Sequence, residues 1–267
     1  MATQLLIYEK VVPVSKDRHT GWSVKAGNDY SFAKHINSVP VLAVEFASAA
    51  DEYTLVFAGN EDGMMPIALL GIKERENLFV NESNHWDAKY IPAFIRRYPF
   101  VFSESEDRST FTLCIDEDFV GCNQDNKGER LFDAEGERTQ YLDNMLRFVN
   151  EYQGQNLRTQ AFCQKLRDLD LLEPMQAEFT LTSGQRSRLA GFFAVNRERL
   201  KRLNDEQVID LFKLDELELI YLHLQSMRNF TGMLERSAAH NSAPAADADK
   251  PAEAAIATDH APDEKLH

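Results

Sequence analysis

Two patterning regimes succeed one another along the chain. Up to about residue 135 the apolar residues fall in short β-branched and aromatic runs parted by polar turns, the signature of strands. Segments 53–57 and 65–71 flank the turn Gly59-Asn-Glu-Asp-Gly63 and predict a hairpin. Segment 77–80 reads as a third short strand, and 100–102 and 110–115 as two more around the polar stretch 103–109. Two short helices are expected among them. One opens at Val39-Pro40, with proline in its first turn, and runs to about Ala50. The other is entered near Asp87 or Tyr90 and stops before Pro99.

From Thr139 the period becomes helical. Tyr141, Met145, Phe148, Val149 and Tyr152 repeat at i, i+4, i+7, i+8 and i+11, with Thr139 placed to cap the start and Gly154 to end the helix. Asn156 then caps a second helix to about Asp168, with Leu157, Phe162, Cys163 and Leu166 facing inward. Segments 179–182 and 189–195 predict another hairpin about Ser183-Gly184, and 197–203, 206–213 and 215–236 three closing helices. The stretch 217–224 is apolar on nearly every face except at His223, which predicts a buried helix. The fold class is therefore α+β: an N-terminal, mostly antiparallel sheet with short helices, a helical C-terminal half carrying one hairpin, and a disordered C-terminal tail. Residues 1–236 read as one unit, divisible near 136–139 where the period changes. Residues 237–267 form an Ala/Pro/acidic segment with too little apolar surface to offset its ordering entropy.

Charge changes the picture in two ways. With 29 Lys and Arg against 43 Asp and Glu among 267 residues, the formal charge is −14, which disfavours nucleic acid and anionic lipid as partners. The charge is also polarised: 116–137 holds eight acids and two bases, 186–202 six bases and one acid. Such stretches are solvated faces or complementary surfaces that could join two copies of the chain. No apolar run is long enough to span a membrane. The opening MATQLLIYEKVVPV lacks a basic region followed by an apolar one, so no cleaved signal peptide and a cytoplasmic location are expected, with export by a non-classical route left open. Cys114, Cys122 and Cys163 fit no disulfide or metal spacing and read as reduced thiols.

Candidate chemistry concentrates in one block. Trp86, Asp87, Tyr90, Arg96, Arg97 and Tyr98 form a polar–aromatic cluster in which arginine could grip a carboxylate or phosphate while the rings pack on an apolar body. The competing assignment has Asp87 capping its helix and the arginines pairing with acids such as Glu45 or Glu74. Consecutive arginines on a helix point ~100° apart, so Arg96 and Arg97 would not both serve one ligand. His19, in a loop-like setting beside Arg18, could act as a general base, but no G-x-S-x-G elbow accompanies it. His85-Trp86-Asp87 has the H-x-D spacing of a non-haem iron centre, for which His223 would be the distal ligand. The segment from Asn123 fails the calcium-loop pattern at Lys127 and Ala134, and neither G-x-G-x-x-G nor a Walker A motif occurs. No metal and no cofactor are expected.

The chain resembles the bacterial SapC family over roughly residues 8–236. The resemblance is carried by Val12-Pro-Val-Ser15 with Arg18-His19, Val39-Pro-Val41 with Glu45-Phe46, Tyr53 through Phe57, and Leu69-Leu-Gly71 with Asn77-Leu-Phe-Val80. It continues through the block from Trp86 to Phe100, Leu131-Phe-Asp133 with Gly136, Gly191-Phe-Phe193 and Leu219-Ile-Tyr-Leu-His223. The family takes its name from a locus for a paracrystalline surface layer. Its members resemble proteins found beside outer-membrane receptors, tryptophan halogenase-like flavoproteins and cupin-like oxygenases. The resemblance implies an accessory or binding protein, not an enzyme, that engages a peptide, a protein or a small carboxylated molecule. Such a protein would be linked to cell-surface or outer-membrane uptake systems. The alternatives are an iron-dependent oxygenase-type enzyme and an exported surface-layer component. The candidate ligand-binding set is Trp86, Asp87, Tyr90, Arg96, Arg97, Tyr98, His19 and Glu45.

Overall fold

The computed structural model describes residues 6–25, 27–60, 63–105, 110–180 and 186–242. Strands β1 (Val11–Pro13), β2 (Ser23–Val24), β3 (Ser38–Pro40), β4 (Thr54–Asn60), β5 (Gly63–Leu69) and β6 (Phe100–Glu104) precede β7 (Phe111–Asp116), β8 (Cys122–Asn123) and β9 (Glu129–Arg130). The two longest, β10 (Leu172–Thr180) and β11 (Arg186–Val195), follow in the second half. The helices are α1 (Lys16–His19), α2 (Phe46–Ala49), α3 (Ala93–Arg96), α4 (Gln140–Asp168), α5 (Arg197–Leu200), α6 (Asp205–Lys213), α7 (Glu216–Ser226) and α8 (Asn229–Ser242). Every pairing is antiparallel, in sheets ordered β1-β7-β6, β10-β11-β4-β5-β3 and β8-β2-β9. The α+β class and the helical C-terminal half stand as the pattern indicated.

The hairpin of β4 and β5 is the predicted one, with Thr54 opposite Leu69 and Asn60 opposite Gly63. Thr139 caps α4 as expected, its hydroxyl accepting from the Leu142 amide at 3.3 Å. Gly154, however, does not end that helix. The buried stripe of Leu142, Val149, Thr159, Cys163 and Leu166 stays in register across it, so packing on the sheet carries one 29-residue helix through a residue of low propensity. Leu157, expected to face inward, is exposed. Val39-Pro40 also departs from expectation. It lies in β3, opposite Ala68 and Ile67, and the helical turn begins only at Ala43. Segment 77–80 makes a single bridge, Val80 with Trp86, in place of a strand. Asn77 instead shapes a turn, its side chain donating to the Ala33 carbonyl and accepting from the Phe79 amide.

The expected closing helix is two, α7 and α8, broken at Met227-Arg228. Only part of α7 is buried: Ile220 and His223 face the core, whereas Tyr221 is about half exposed. The tail boundary shifts as well, because residues 237–242 belong to α8; residues 243–267 lie outside the described residues. The largest core cluster takes side chains from Ile7 to Ile220, so the strand-rich half and the helical half share it. No helix among the described residues is long and apolar enough to cross a membrane. Among these residues, too, no ion pair joins the acidic 116–137 to the basic 186–202: Glu117 takes Lys10 and Arg18, while Arg199 takes Asp170.

Candidate functional site

The Trp86–Phe100 block is wired into the protein by a chain of hydrogen bonds. Trp86 is buried and its indole Nε1 donates to the Tyr53 hydroxyl at 2.8 Å. That hydroxyl in turn donates to the Tyr90 carbonyl. The Tyr90 hydroxyl donates to Glu45 Oε1 at 2.7 Å, and the same oxygen accepts from the Ala93 amide at 2.7 Å. Glu45 Oε2 takes the Leu42 amide at 2.7 Å. One buried carboxylate thus caps two helical turns, its own and that of α3, which explains why Glu45 and the Tyr90-Ile-Pro-Ala93 segment need each other. Burial, then the neighbouring Glu45 charge, hold the Tyr90 phenol well above its ordinary range.

The arginine doublet divides as helical geometry requires. Arg96 is exposed, bonds the Ile91 carbonyl at 2.9 Å and lies over the rings of Tyr90 and Phe148. Arg97 is buried among Phe94, Tyr152 and Tyr8, with its guanidinium carbon 4.5 Å from the first two ring centroids. Tyr98 donates to Asp116 at 3.2 Å and stacks on Phe32. His19 lies elsewhere, fully buried against Trp22, with Nε2 at 3.4 Å from Glu117 Oε1. Glu117 is held by Arg18 and Lys10, which depress its carboxyl to about 2. Burial lowers the basicity of His19, and the ring is enclosed, not presented to a cleft.

The iron reading loses its distal ligand. Both ring nitrogens of His223 are engaged in the core, and among the described residues no three His, Cys, Asp or Glu side chains are grouped to hold a metal. Asn123 closes its own turn, its side-chain oxygen accepting from the Asp125 and Lys127 amides. The thiols of Cys122 and Cys163 are pushed up to about 12, both chiefly by burial, which removes thiolate character at neutral pH.

The block touches a cleft only through the partner of Asp87, Arg236. Asp87 does not cap α3. It accepts from Arg236 Nη1 at 2.7 Å, across 149 residues of sequence, and the Arg236 guanidinium lies 4.8 Å from the Phe79 ring centroid. Beneath is a cleft of about 300 Å³ between the N-terminal half of α8 and the Thr54–Leu69 end of the β4–β5 hairpin. Its floor is apolar, from Leu69, Phe79 and Met233; Glu52, Arg228 and Arg236 supply charge. Gly232 and Arg236 lie one turn apart on α8, Arg228 stands just before its first residue, and all three line the cleft. A side chain at Gly232 would meet nothing within 4 Å, and the missing one leaves the cleft open.

Thr54 is the buried polar group of this cleft. On β4 it shares the face of Val56, which packs with Met233 of α8. Among the described residues its hydroxyl has no hydrogen-bond partner, although the residue is only 2% exposed.

Of the sequence-predicted residues, Trp86, Tyr90 and Glu45 share one scaffold network, Arg96 stacks on its edge, and Arg97, Tyr98 and His19 are spent on other contacts. Asp87 is the one among them that pairs with a lining residue of the cleft, Arg236. Thr54, Arg228 and Arg236 were missed, although the Arg-x₃-Gly-x₃-Arg spacing at 228–236, with glycine inside a helix, was a readable signal.

A family model, SapC, matches residues 14–233. No curated protein and no solved structure matches the chain.

Proposed function

The chain belongs to the SapC family, and from that premise we propose that it is an accessory protein that binds a small carboxylated molecule in the cleft beside α8. The observation that carries the reading is a cleft that sets Arg228 and Arg236 beside an apolar floor of Leu69, Phe79 and Met233. Arg228 has no ion-pair partner among the described residues, and Arg236 is already steered by Asp87. Guanidinium groups bind carboxylates through charge-assisted hydrogen bonds, and the floor of Leu69, Phe79 and Met233 suits the apolar remainder of such a molecule. A link to outer-membrane uptake, implied by the family resemblance, would give such a binder its setting.

Calorimetric titration with hydrocinnamate and with 3-phenylpropan-1-ol tests the proposal, since the two share an apolar body and differ in charge. Heat of binding from the acid alone, lost in Gly232→Leu and weakened at least tenfold in Arg228→Ala, is the expected result. Equal responses to both compounds, or none to either, would reject it.

A further inference from the structure

The cleft carries both signs of charge. Glu52 stands among its lining residues with Arg228 and Arg236 and, among the described residues, makes no ion pair with either. A simple carboxylate would satisfy the arginines and leave Glu52 facing a like charge across a space of about 300 Å³. A ligand with an ammonium beside its carboxylate would meet both. A space of about 300 Å³ lies at the small end of ligand sites, which suits a molecule the size of a single amino acid. Its apolar end would rest on Leu69, Phe79 and Met233.

We propose that the occupant is a free α-amino acid with an apolar side chain, its carboxylate on Arg228 and Arg236, its ammonium on Glu52. This rests on the cleft being the binding site argued above. Gly232 leaves room for the side chain.

The test is calorimetric titration of the full chain with phenylalanine, hydrocinnamate and phenethylamine, which keep the apolar body and delete one charge at a time. Leucine and alanine then vary the body at fixed charge. Phenylalanine should bind at least tenfold tighter than hydrocinnamate or phenethylamine, and alanine at least tenfold weaker than leucine. In Glu52→Gln, a variant of a partly exposed side chain that makes no side-chain hydrogen bond among the described residues, the advantage of phenylalanine over hydrocinnamate should disappear. If hydrocinnamate binds as tightly as phenylalanine, the amino-acid assignment is overturned while the carboxylate reading stands. If none binds, or if Gly232→Leu binds all of them unchanged, both fall together.

Discussion

His223 and Leu55 are joined at the point where the central sheet splits, the imidazole Nδ1 lying 2.9 Å from the Leu55 carbonyl. Strands β11 and β4 pair only at Phe193 and Phe57. Beyond that pair α7 takes over: His223 Nε2 accepts from the Val195 amide at 3.0 Å, and the Leu55 amide donates to Ser226 Oγ at 3.0 Å. Because Nε2 is an acceptor, the ring is neutral with its proton on Nδ1, which donates to Leu55. One side chain substitutes for the missing ladder bond on both strands, and the Leu219-Ile-Tyr-Leu-His223 segment is there to deliver it.

Protonation of this ring would put a charge in the core and remove the acceptor for Val195, so burial depresses its pKa to about 4. The unfolded chain takes up that proton near its ordinary value of 6.5. The stabilisation is therefore complete above about pH 6.5 and is lost progressively as pH falls towards 4, by on the order of 3 kcal/mol. Urea unfolding at pH 7, 6, 5 and 4.5 should show this loss. His223→Gln should be less stable at pH 7 and flatter across that range. A variant with the same slope as the parent would contradict the assignment.

Glu45 makes a second, independent prediction. Glu45→Ala strands three donors at once (the Leu42 and Ala93 amides and the Tyr90 hydroxyl) and should cost about 3–5 kcal/mol. Tyr90→Phe removes one donor while the carboxylate keeps its two amides, and should cost about 1 kcal/mol. The double variant should cost little more than Glu45→Ala, because the Tyr90 bond is already gone. Denaturant midpoints of the four proteins check this, and simple additivity would refute it.

Asp87 acts on the cleft through charge. Its pair with Arg236 is solvent-exposed, so Asp87→Asn should change stability by less than about 1 kcal/mol while keeping an acceptor for the guanidinium. Deleting the negative charge frees Arg236 to interact with an incoming carboxylate. Affinity for hydrocinnamate should rise about two- to fivefold, and the gain should shrink as salt is added. Calorimetry at low and high ionic strength decides; a fall in affinity would place Asp87 among the groups that orient the ligand.

These cases mark where the sequence could be read. Local signals were legible: the Thr139 cap is a bond between residues three apart, and the β4–β5 hairpin is set by a turn and its flanking apolar runs. The importance of Glu45 and of the Trp86 block could also be seen. Their roles could not, since Glu45 meets a tyrosine and two amides, not an arginine, and Asp87 meets a residue 149 positions away. Thr54 is an ordinary strand residue until α8 passes over it. Long-range partners leave no periodic trace, so the residues that line the cleft were hidden while the buried Trp86–Glu45 network stood out.

Gly154 offers the sharpest contest between local propensity and packing. Read locally it ends a helix, and a glycine ending a helix usually adopts a left-handed conformation that alanine resists. In the structure it lies inside α4, outside the left-handed region, on the exposed face, with nothing within 4 Å of an added methyl group. Alanine there would lose less backbone entropy on folding and strain nothing. Gly154→Ala should therefore stabilise the protein by about 0.5–1 kcal/mol and raise the unfolding midpoint by about 1–4 °C for a chain of this size. Thermal unfolding followed by circular dichroism gives the sign directly. A loss of stability of similar size would mean that the helix breaks at Gly154, and that the stripe from Leu142 to Leu166 belongs to two helices instead of one.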